Sequence, residues 1–356
     1  MKAGLRSAAL GAARSAGLFS LWRFSSRRQV TILRAHGVMD SSVPSDWTPM
    51  RAQIPLERLD RALGILGRSY RFVSLDEAVK MIAGELPIRS NCIAFTFDDG
   101  YRNNFRHGWP ILKRHGAPAT FFVCTGHVEG GTPFWFDRLD YALQHAAVHG
   151  RTFSIGGKPC EIDASDRESL RASFEVVRRR LKAAERHDGE MRREVEDLAS
   201  ALEAEGGTAL SDILDRDDWA AVAGWPDIRQ AQQEGATIGS HTVDHVRLGL
   251  VGPEQAREQL LGSKQEIERQ TGQPCHHFCF PSGSYSEEST VIARECGYRS
   301  AVTTRDGRNR VGDDLMTLRR LTLPYEGTET EILAQACGLT DMLGRVRASF
   351  SRGGAA

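Results

Sequence analysis

The sequence predicts an α/β protein built on a parallel sheet or barrel. Three apolar runs, "VTILRAHGV", "NCIAFTFDDG" and "APATFFVCTG", are typical of buried strands, and amphipathic helical patterns separate them. The most distinctive polar residues come directly after these runs. This is typical of parallel sheets whose catalytic groups lie at the carboxyl ends of strands. A chain of 356 residues can form one α/β barrel or two smaller domains.

The helices between these strands have recognisable boundaries. "LERLDRALGILGRSY" carries apolar residues at helical spacing, "SLDEAVKMIAGEL" begins with a serine able to cap a helix, and "NNFRHGWPILKRHG" ends in glycine. The alternation breaks between about residues 130 and 225. It resumes with "GATIGSHTVDH" and continues to "LRRLTLP". The segment 130–225 is therefore predicted to be a helical insertion.

The insertion begins with an aromatic helix, "FWFDRLDYALQHAAVHG", followed by a small hairpin, "RTFSIGGKPCEI", and a pair of charged helices. The run "RRRLK" from Arg178 is interpreted as a solvated helix face, with a phosphate or membrane contact as the minority alternative. The aromatic residues Phe134, Trp135 and Phe136 are expected in the core. A position on the barrel rim would instead let them stack on a sugar ring.

The chain divides into a basic amphipathic leader at residues 1–30, a barrel at 31–340 and a flexible tail at 341–356. Arg14 interrupts the only apolar stretch of the leader that could serve as a secretory signal, and the stretch is too short for a transmembrane span. Leu18, Phe19 and Trp22 could anchor an interfacial helix, giving peripheral membrane contact. A frayed terminus, or a helix packed on the domain, explains the leader equally well.

Composition excludes some classes of function. Lysine and arginine total 46 and aspartate and glutamate total 46, so no charge excess indicates nucleic-acid binding. The seven cysteines are odd in number and scattered, which favours a reducing compartment over a disulfide framework.

Two groups of residues indicate a metal site. Asp98 and Asp99 directly follow an apolar run, and adjacent buried carboxylates require a cation or a shared proton. His241 and His245 stand four apart, so on a helical turn both imidazoles would reach one ion. Two histidines and a carboxylate are a common catalytic metal set. The alternatives are aspartates that cap a helix and histidines with structural hydrogen bonds.

The motifs "TFDDG" and "SHTVDH", in that order, resemble those of the polysaccharide deacetylases, the NodB-homology or carbohydrate esterase family 4 proteins. The resemblance covers residues from about 30 to 325 apart from the insertion. It implies a distorted (β/α)7 barrel and removal of an acetyl group from an N-acetylated sugar. It also implies a divalent metal, zinc or alternatively cobalt, nickel or manganese. By this resemblance Asp99, His241 and His245 would bind the metal, and Asp98 would be the general base.

The metal would lower the pKa of a bound water and polarise the amide carbonyl, while Asp98 takes the proton of the attacking water. "FCFPSGSYS" represents the family's third motif, in which the backbone amide after the proline stabilises the oxyanion. Ser282 follows Pro281 where many members carry an aromatic residue, so the amide is kept and the aromatic wall is lost. The late strand lacks the family's acid histidine. "ILRAHGV" resembles the first strand of the circularly permuted members, which makes His36 the candidate acid.

The alternative for His36 is a buried histidine bonded to the backbone. Arg320 could orient Asp98 or bind a substrate carboxylate, and Trp135 is a candidate sugar contact. The nearby Cys275, His276, His277 and Cys279 are expected to point in different directions along a strand, and so not to form a zinc cluster.

The sequence thus predicts a deacetylase for an envelope or exopolysaccharide glycan or its precursor. A cytoplasmic enzyme at the inner face of the membrane, acting on a lipid-linked or nucleotide-linked sugar, fits the leader best. The alternatives are a deformylase or other linear-amide hydrolase on the same barrel, and a glycan-binding relative without turnover. The sugar, the acyl group and the oligomeric state are left open.

Overall fold

The fold was analysed in a computed structural model that describes residues 28–339, except 41, 43–46, 89–90 and 184–187. The described strands are β1 Gln29–Ala35, β2 Val38–Met39, β3 Ile54–Pro55, β4 Arg71–Phe72, β5 Cys92–Phe97, β6 Ala119–Val123, β7 Thr152–Ile155, β8 Lys158–Glu161, β9 Thr237–Ser240, β10 His277–Cys279, β11 Ser300–Asp306, β12 Asn309–Arg310 and β13 Leu318–Thr322.

The described α-helices are α1 Leu56–Gly67, α2 Leu75–Ala83, α3 Trp109–Arg114, α4 Thr125–Gly130, α5 Trp135–His145, α6 Arg167–Ala183, α7 Asp188–Gly206, α8 Trp225–Gln233, α9 Pro253–Thr271, α10 Glu287–Glu295 and α11 Glu329–Ala336. A π-helical turn at Asn104–Gly108 precedes α3. Short 3-10 turns occupy Leu210–Ile213, Leu248–Leu250 and Pro281–Gly283.

Seven parallel strands close into a barrel in the order β1, β5, β6, β9, β10, β11 and β13. The ring closes because β1 pairs with β5 on one side and with β13 on the other. β4 extends the sheet beside β5, and β12 runs antiparallel to β1. The predicted (β/α)7 barrel is therefore confirmed, and the alternative of two smaller domains is not observed.

The barrel strands owe their stability to burial on both faces. Every residue of β5 and every residue of β6 is buried, which explains their nearly continuous apolar sequences. Phe95 of β5 packs against Phe72 of the neighbouring strand β4, with ring centroids 5.0 Å apart. The barrel thus provides a rigid support for the residues at its carboxyl end.

Helix α2 forms where the sequence predicts it. Ser74 accepts a hydrogen bond from the Glu77 backbone amide at 3.1 Å, and the Glu77 side chain accepts one from the Ser74 amide, also at 3.1 Å. The helix ends at Gly84, whose φ of 83° is in the left-handed region that glycine adopts without strain.

The insertion folds around a hydrophobic cluster of its own. The predicted hairpin is formed by β7 and β8, which pair antiparallel, and the two charged helices are α6 and α7. Leu139 of α5, Phe174 of α6 and Val195 of α7 are buried together in this cluster. The insertion therefore has a core that is separate from the barrel interior.

The predicted leader lies outside the described residues up to position 27, and β1 begins at Gln29. The tail at 341–356 lies entirely outside them. Among the described helices, none combines the length and the apolar character that crossing a bilayer requires.

Candidate active site

Side chains at the carboxyl ends of four barrel strands converge on one cavity of about 180 Å³. His36 follows β1, Asp98 and Asp99 follow β5, His241 follows β9, and Ser282 stands shortly after β10. All of them line the cavity. Because parallel strands end at the same side of a barrel, positions far apart in the sequence become neighbours there.

Asp99 is the centre of the predicted metal set. Its Oδ1 atom lies 3.4 Å from Nε2 of His241 and 3.5 Å from Nε2 of His245. The Nδ1 atom of His241 lies 2.7 Å from the carbonyl oxygen of Cys279, and a proton on Nδ1 would leave the Nε2 lone pair directed toward Asp99. One carboxylate oxygen and two imidazole nitrogens thus face a common point.

His245 completes this set from an aromatic environment. Its ring packs edge-to-face against Phe134 and Phe136, with centroids 5.4 and 5.5 Å away. Burial lowers the pKa of His245 well below its usual value, despite the opposing charge of Asp99, and so favours the neutral imidazole that metals require. Within the described residues, the buried Nδ1 atom of His245 has no hydrogen-bond partner.

The backbone at the two histidines differs from the sequence-based expectation. The four-residue spacing predicted a helical turn, but the segment is a loop in which Thr242 has a φ of 72° and His245 a φ of 56°. Neither residue is glycine, so each left-handed conformation costs on the order of 1–3 kcal/mol. The Gln259 side chain supports the loop by accepting from the backbone amide of Asp244 at 2.9 Å. The two imidazoles converge through this strained loop rather than through helical periodicity.

The donor set fits a divalent transition metal. One carboxylate with two histidines is a common catalytic zinc set, and all three side chains are buried and within reach of one ion. Burial by itself opposes ionisation of Asp99. It is outweighed by the hydrogen bond that His241 donates when its Nε2 atom also carries a proton, and by the charges of the nearby histidines when they are protonated, which together hold the pKa of Asp99 far below its usual range.

A second possible set, Asp98 with His241 and Cys279, fits a metal less well. Both oxygens of Asp98 already accept hydrogen bonds from Arg320, at 2.6 and 2.7 Å, and the Cys279 sulfur accepts one from the same guanidinium at 3.2 Å. Asp98 and Asp99, although adjacent, therefore have different partners. The alternative that these aspartates cap a helix is therefore not needed to explain either residue.

Arg320 is fully buried and directed at Asp98. It also donates to the carbonyl oxygen of Thr303 at 2.9 Å and to the hydroxyl of Thr96 at 3.1 Å. The sequence suggested that Arg320 either orients Asp98 or binds a substrate carboxylate. Contact with Asp98 is observed, and because the Arg320 side chain has no exposed surface it cannot bind a substrate carboxylate. Burial alone would raise the pKa of Asp98, but the charge and hydrogen bonds of Arg320 lower it below its usual value. Asp98 is ionised at neutral pH.

His36 stands beside Asp98 because Ala35 of β1 is in register with Phe97 of β5. Its ring is open to solvent through the cavity, although protein atoms crowd it on the other sides. That crowding lowers the pKa of His36, and the charges of Asp99 and Asp98 only partly oppose the effect. The alternative of a buried histidine is not observed.

Of the residues predicted to face the substrate, some line the cavity and others do not. Ser282 lines the cavity with a φ of 56°, whereas Pro281 is buried beneath it. Phe136 and Phe280 form the aromatic part of the wall, and Trp135 does not line it. Trp135 is partly buried behind it, with the amine of Lys182 located 6.0 Å from its ring centroid.

Three cationic residues of the cavity had no place in the sequence-based site. Arg51 stacks on the Phe136 ring at 4.1 Å and donates to Asp137 at 3.0 Å, and its Nη1 lies 3.7 Å from Asp99. Arg178 and Lys182 of α6 also line the cavity, so "RRRLK" is not simply a solvated face. In the sequence, the four-residue spacing of Arg178 and Lys182 was the signal that both side chains lie on one helix face.

The histidines near β10 do not form a zinc cluster. His277 is buried and contacts the Ser300 hydroxyl at 2.8 Å, whereas His276 is partly exposed. Cys275 and Cys279 are buried, and no disulfide involves any of the seven cysteines. Cys275 and Cys279 belong to different hydrophobic clusters of the core.

Comparison with known proteins shows the family of the chain. A sequence profile of the family described as Polysaccharide deacetylase matches residues 87–301. The matched range contains Asp98 and the metal set of Asp99, His241 and His245, while His36 and Arg320 lie outside it. A relative in Bacillus subtilis (strain 168), YxkH, is named for the same family and is 21% identical over 252 residues. That alignment covers 71% of this chain and only 58% of the length of the relative.

Two solved structures are similar in fold. The Streptococcus pyogenes deacetylase PplD, in complex with acetate, superposes with a TM-score of 0.56 at 19% identity, covering 86% of this chain and 98% of PplD. IcaB from Ammonifex degensii superposes with a TM-score of 0.55, also at 19% identity, covering 87% of this chain and 97% of IcaB. At such low identity, the similarity establishes the shared fold.

Proposed function

The chain belongs to the polysaccharide deacetylase family, and from that premise we propose that it is a metal-dependent hydrolase that removes N-acetyl groups from an amino sugar in a glycan or glycan precursor. The observation that carries the proposal is the convergence of Asp99, His241 and His245 beside an ionised Asp98. A binding protein has no need for a carboxylate held in this way next to a metal set.

Asp99, His241 and His245 would hold the ion, for which zinc is the first candidate. Such an ion, when bound, supplies a Lewis acid that makes water more acidic and polarises the amide carbonyl. The chain's own contribution is a rigid donor set, because the Cys279 carbonyl orients His241 and Gln259 supports the loop that carries His245.

Asp98 and His36 would carry the proton transfers. Asp98 is ionised and can accept a proton from the water that attacks the amide carbonyl carbon. As the C–N bond breaks, the leaving nitrogen must gain a proton to depart as an amine, and His36 in its protonated form is the proposed donor. The products are acetate and the free amino sugar. The register of β1 with β5 supports this pairing, because it makes the two residues neighbours.

The backbone amide of Ser282 is the proposed oxyanion donor. Ser282 has a left-handed φ of 56°, and the next residue, Gly283, packs closely enough that a Cβ atom there would lie 1.9 Å from the Thr304 hydroxyl. A donor that is fixed before the reaction stabilises the developing charge without reorganisation.

The proposed function is tested by product analysis with wild-type protein and the Asp98→Asn variant. Each is loaded with zinc and incubated with N-acetylglucosamine oligomers and with matched N-formyl oligomers, and acetate and formate are quantified. We expect acetate from the wild type and a loss of at least about 10²-fold in Asp98→Asn. Formate alone would indicate a deformylase, and no release of either product would remove support for an enzyme.

We further propose that the basic leader brings the protein to the inner face of the membrane. The proposal rests on the sequence of residues 1–30, in which apolar residues and arginines are interleaved without any acidic residue. Vesicle sedimentation with anionic lipids tests it. Full-length protein should sediment with the vesicles and a variant lacking residues 1–28 should not, whereas equal sedimentation would contradict the proposal.

A further inference from the structure

Helix α6 of the insertion sends two cationic side chains into the catalytic cavity. Arg178 and Lys182 stand one helical turn apart on the face that meets the barrel, and both line the cavity together with Asp98 and Asp99. Arg179, the next residue on the same helix, is exposed. The two inward cations are therefore a feature of one helix face.

Lys182 has little to compensate its charge. Its amine donates to the Ser282 hydroxyl at 2.9 Å, and no carboxylate among the described residues forms an ion pair with it. Asp99 attracts it only from a distance, while Arg178 and Arg51 oppose its charge. Burial and these neighbouring cations lower the pKa of Lys182 to about 8, so the amine is still largely protonated at pH 7.

The rest of the cavity does not offset this charge. Among the lining residues, Arg51, Arg178 and Lys182 face two carboxylates, Asp98 and Asp99. Asp98 is paired with the buried Arg320, which does not line the cavity, and Asp99 is shared by the two histidines and Arg51. Arg51 also pairs with Asp137, so Arg178 and Lys182 are the less compensated cations of the cavity wall.

Arg178 is only partly compensated. It pairs with Glu175 at 2.9 Å on its own helix, but its Nε atom is buried without a hydrogen-bond partner in the described residues. A buried donor without a partner is costly, and a ligand oxygen would satisfy it.

We propose that Arg178 and Lys182 form an oxyanion-binding subsite that selects substrates with a phosphoryl or carboxylate group next to the N-acetylated sugar. Guanidinium and ammonium groups prefer these oxyanions, and charge-assisted hydrogen bonds in a partly buried cavity are stronger than neutral ones. The inference rests on the proposed function, because it names the substrate class for the same cavity. It also gives the insertion a role in specificity.

The test measures binding to a catalytically silent protein. Calorimetry with zinc-loaded Asp98→Asn protein compares N-acetylglucosamine 1-phosphate, N-acetylmuramic acid and the uncharged methyl glycoside of N-acetylglucosamine. We expect at least one anionic ligand to bind about tenfold or more tightly than the methyl glycoside. Which of the two binds more tightly identifies the preferred oxyanion.

Matched variants assign the preference to the helix face. Adding Lys182→Met should abolish the preference, and Lys182→Arg should retain it because the charge is kept. Arg179→Gln removes a charge from the same helix outside the cavity and should leave the preference intact. Equal affinity for charged and uncharged ligands, or a preference that survives Lys182→Met, would overturn the proposal.

The outcome is separable from that of the proposed function. If the binding preference depends on Lys182 but the wild-type protein releases no acetate, the subsite is retained and the deacetylase activity is rejected. Release of acetate from uncharged oligomers, with no preference for anions in binding, would keep the deacetylase and reject the subsite.

Discussion

The two terminal nitrogens of Arg320 donate to the two carboxylate oxygens of Asp98, at 2.6 and 2.7 Å, and both side chains are buried. Arg320 belongs to β13 and Asp98 follows β5, and β1 lies between these strands in the barrel. The pair therefore links two strands that share no backbone ladder. It keeps the proposed base ionised and fixes the orientation of its carboxylate.

Replacing Arg320 by Met should destabilise the protein strongly. The change leaves the charge of Asp98 buried and unpaired, for which a cost of about 3–5 kcal/mol in the free energy of unfolding is expected. Urea unfolding monitored by circular dichroism measures it. Arg58→Met is the control, because Arg58 pairs with Glu326 at 2.6 Å on the exposed surface and should cost less than about 1 kcal/mol.

A double variant separates the loss of the pair from the loss of packing. Arg320→Met combined with Asp98→Leu removes both charges, so it should be more stable than Arg320→Met alone. If the double variant is no more stable than the single one, the buried charge of Asp98 is not the cause of the loss.

Replacing His36 should lower kcat more for substrates with poorer leaving groups. For an N-acetyl sugar, His36→Gln should lower kcat by about 10²–10⁴, because the departing nitrogen needs a proton. For 4-nitrophenyl acetate, whose leaving group departs without protonation, the loss should be below about tenfold. Asp98→Asn should reduce turnover of both substrates. An equal effect of His36→Gln on the two substrates would argue against its role as the acid.

Asp140 should make stability depend on pH. It is fully buried in α5, where burial raises its pKa to about 7. Because the folded pKa exceeds the unfolded value, the stabilising contribution is complete below about pH 4 and is lost as pH rises through 7. Between pH 5 and 6 the free energy of unfolding should fall by about 1.4 kcal/mol per pH unit from this group, and the slope should drop to about half of that at pH 7.

Urea unfolding at pH 5, 6, 7 and 8 measures this effect. Asp140→Asn should make the dependence shallower, since the amide does not titrate in this range; Asp137, whose pKa burial raises to about 6, still contributes. Asp215→Asn, an exposed aspartate of the same insertion, should leave the dependence as in the wild type. Parallel curves for the wild type and Asp140→Asn would show that Asp140 is not the group responsible.

Much of the site could be predicted because its residues stand at strand ends. Asp98 and Asp99 follow a run whose apolar character marks it as a buried strand, and His241 follows another. Parallel topology then brings such ends together. The approach of His36 to Asp98 is less visible locally, because it depends on β1 pairing with β5, a contact between residues about 60 positions apart.

Other features had no local signal. The left-handed conformations of Thr242 and His245 occur at residues that rarely adopt them, so a helical turn was the natural but wrong expectation for this loop. The inward direction of Arg178 and Lys182 depends on how the insertion docks on the barrel, and a charge run alone favours solvent. Phe136 rather than Trp135 reaches the cavity for the same reason, because docking decides which face of α5 turns inward.

Metal content of the purified wild type, Asp98→Asn and His241→Ala, measured by mass spectrometry after dialysis against zinc, tests the central claim most directly. We predict about one ion per chain in the wild type and in Asp98→Asn, far less in His241→Ala, and acetate release only by the wild type. Equal loss of metal in both variants, or acetate release by wild-type protein stripped of metal, would contradict the assignment of Asp99, His241 and His245 as the metal ligands of a deacetylase.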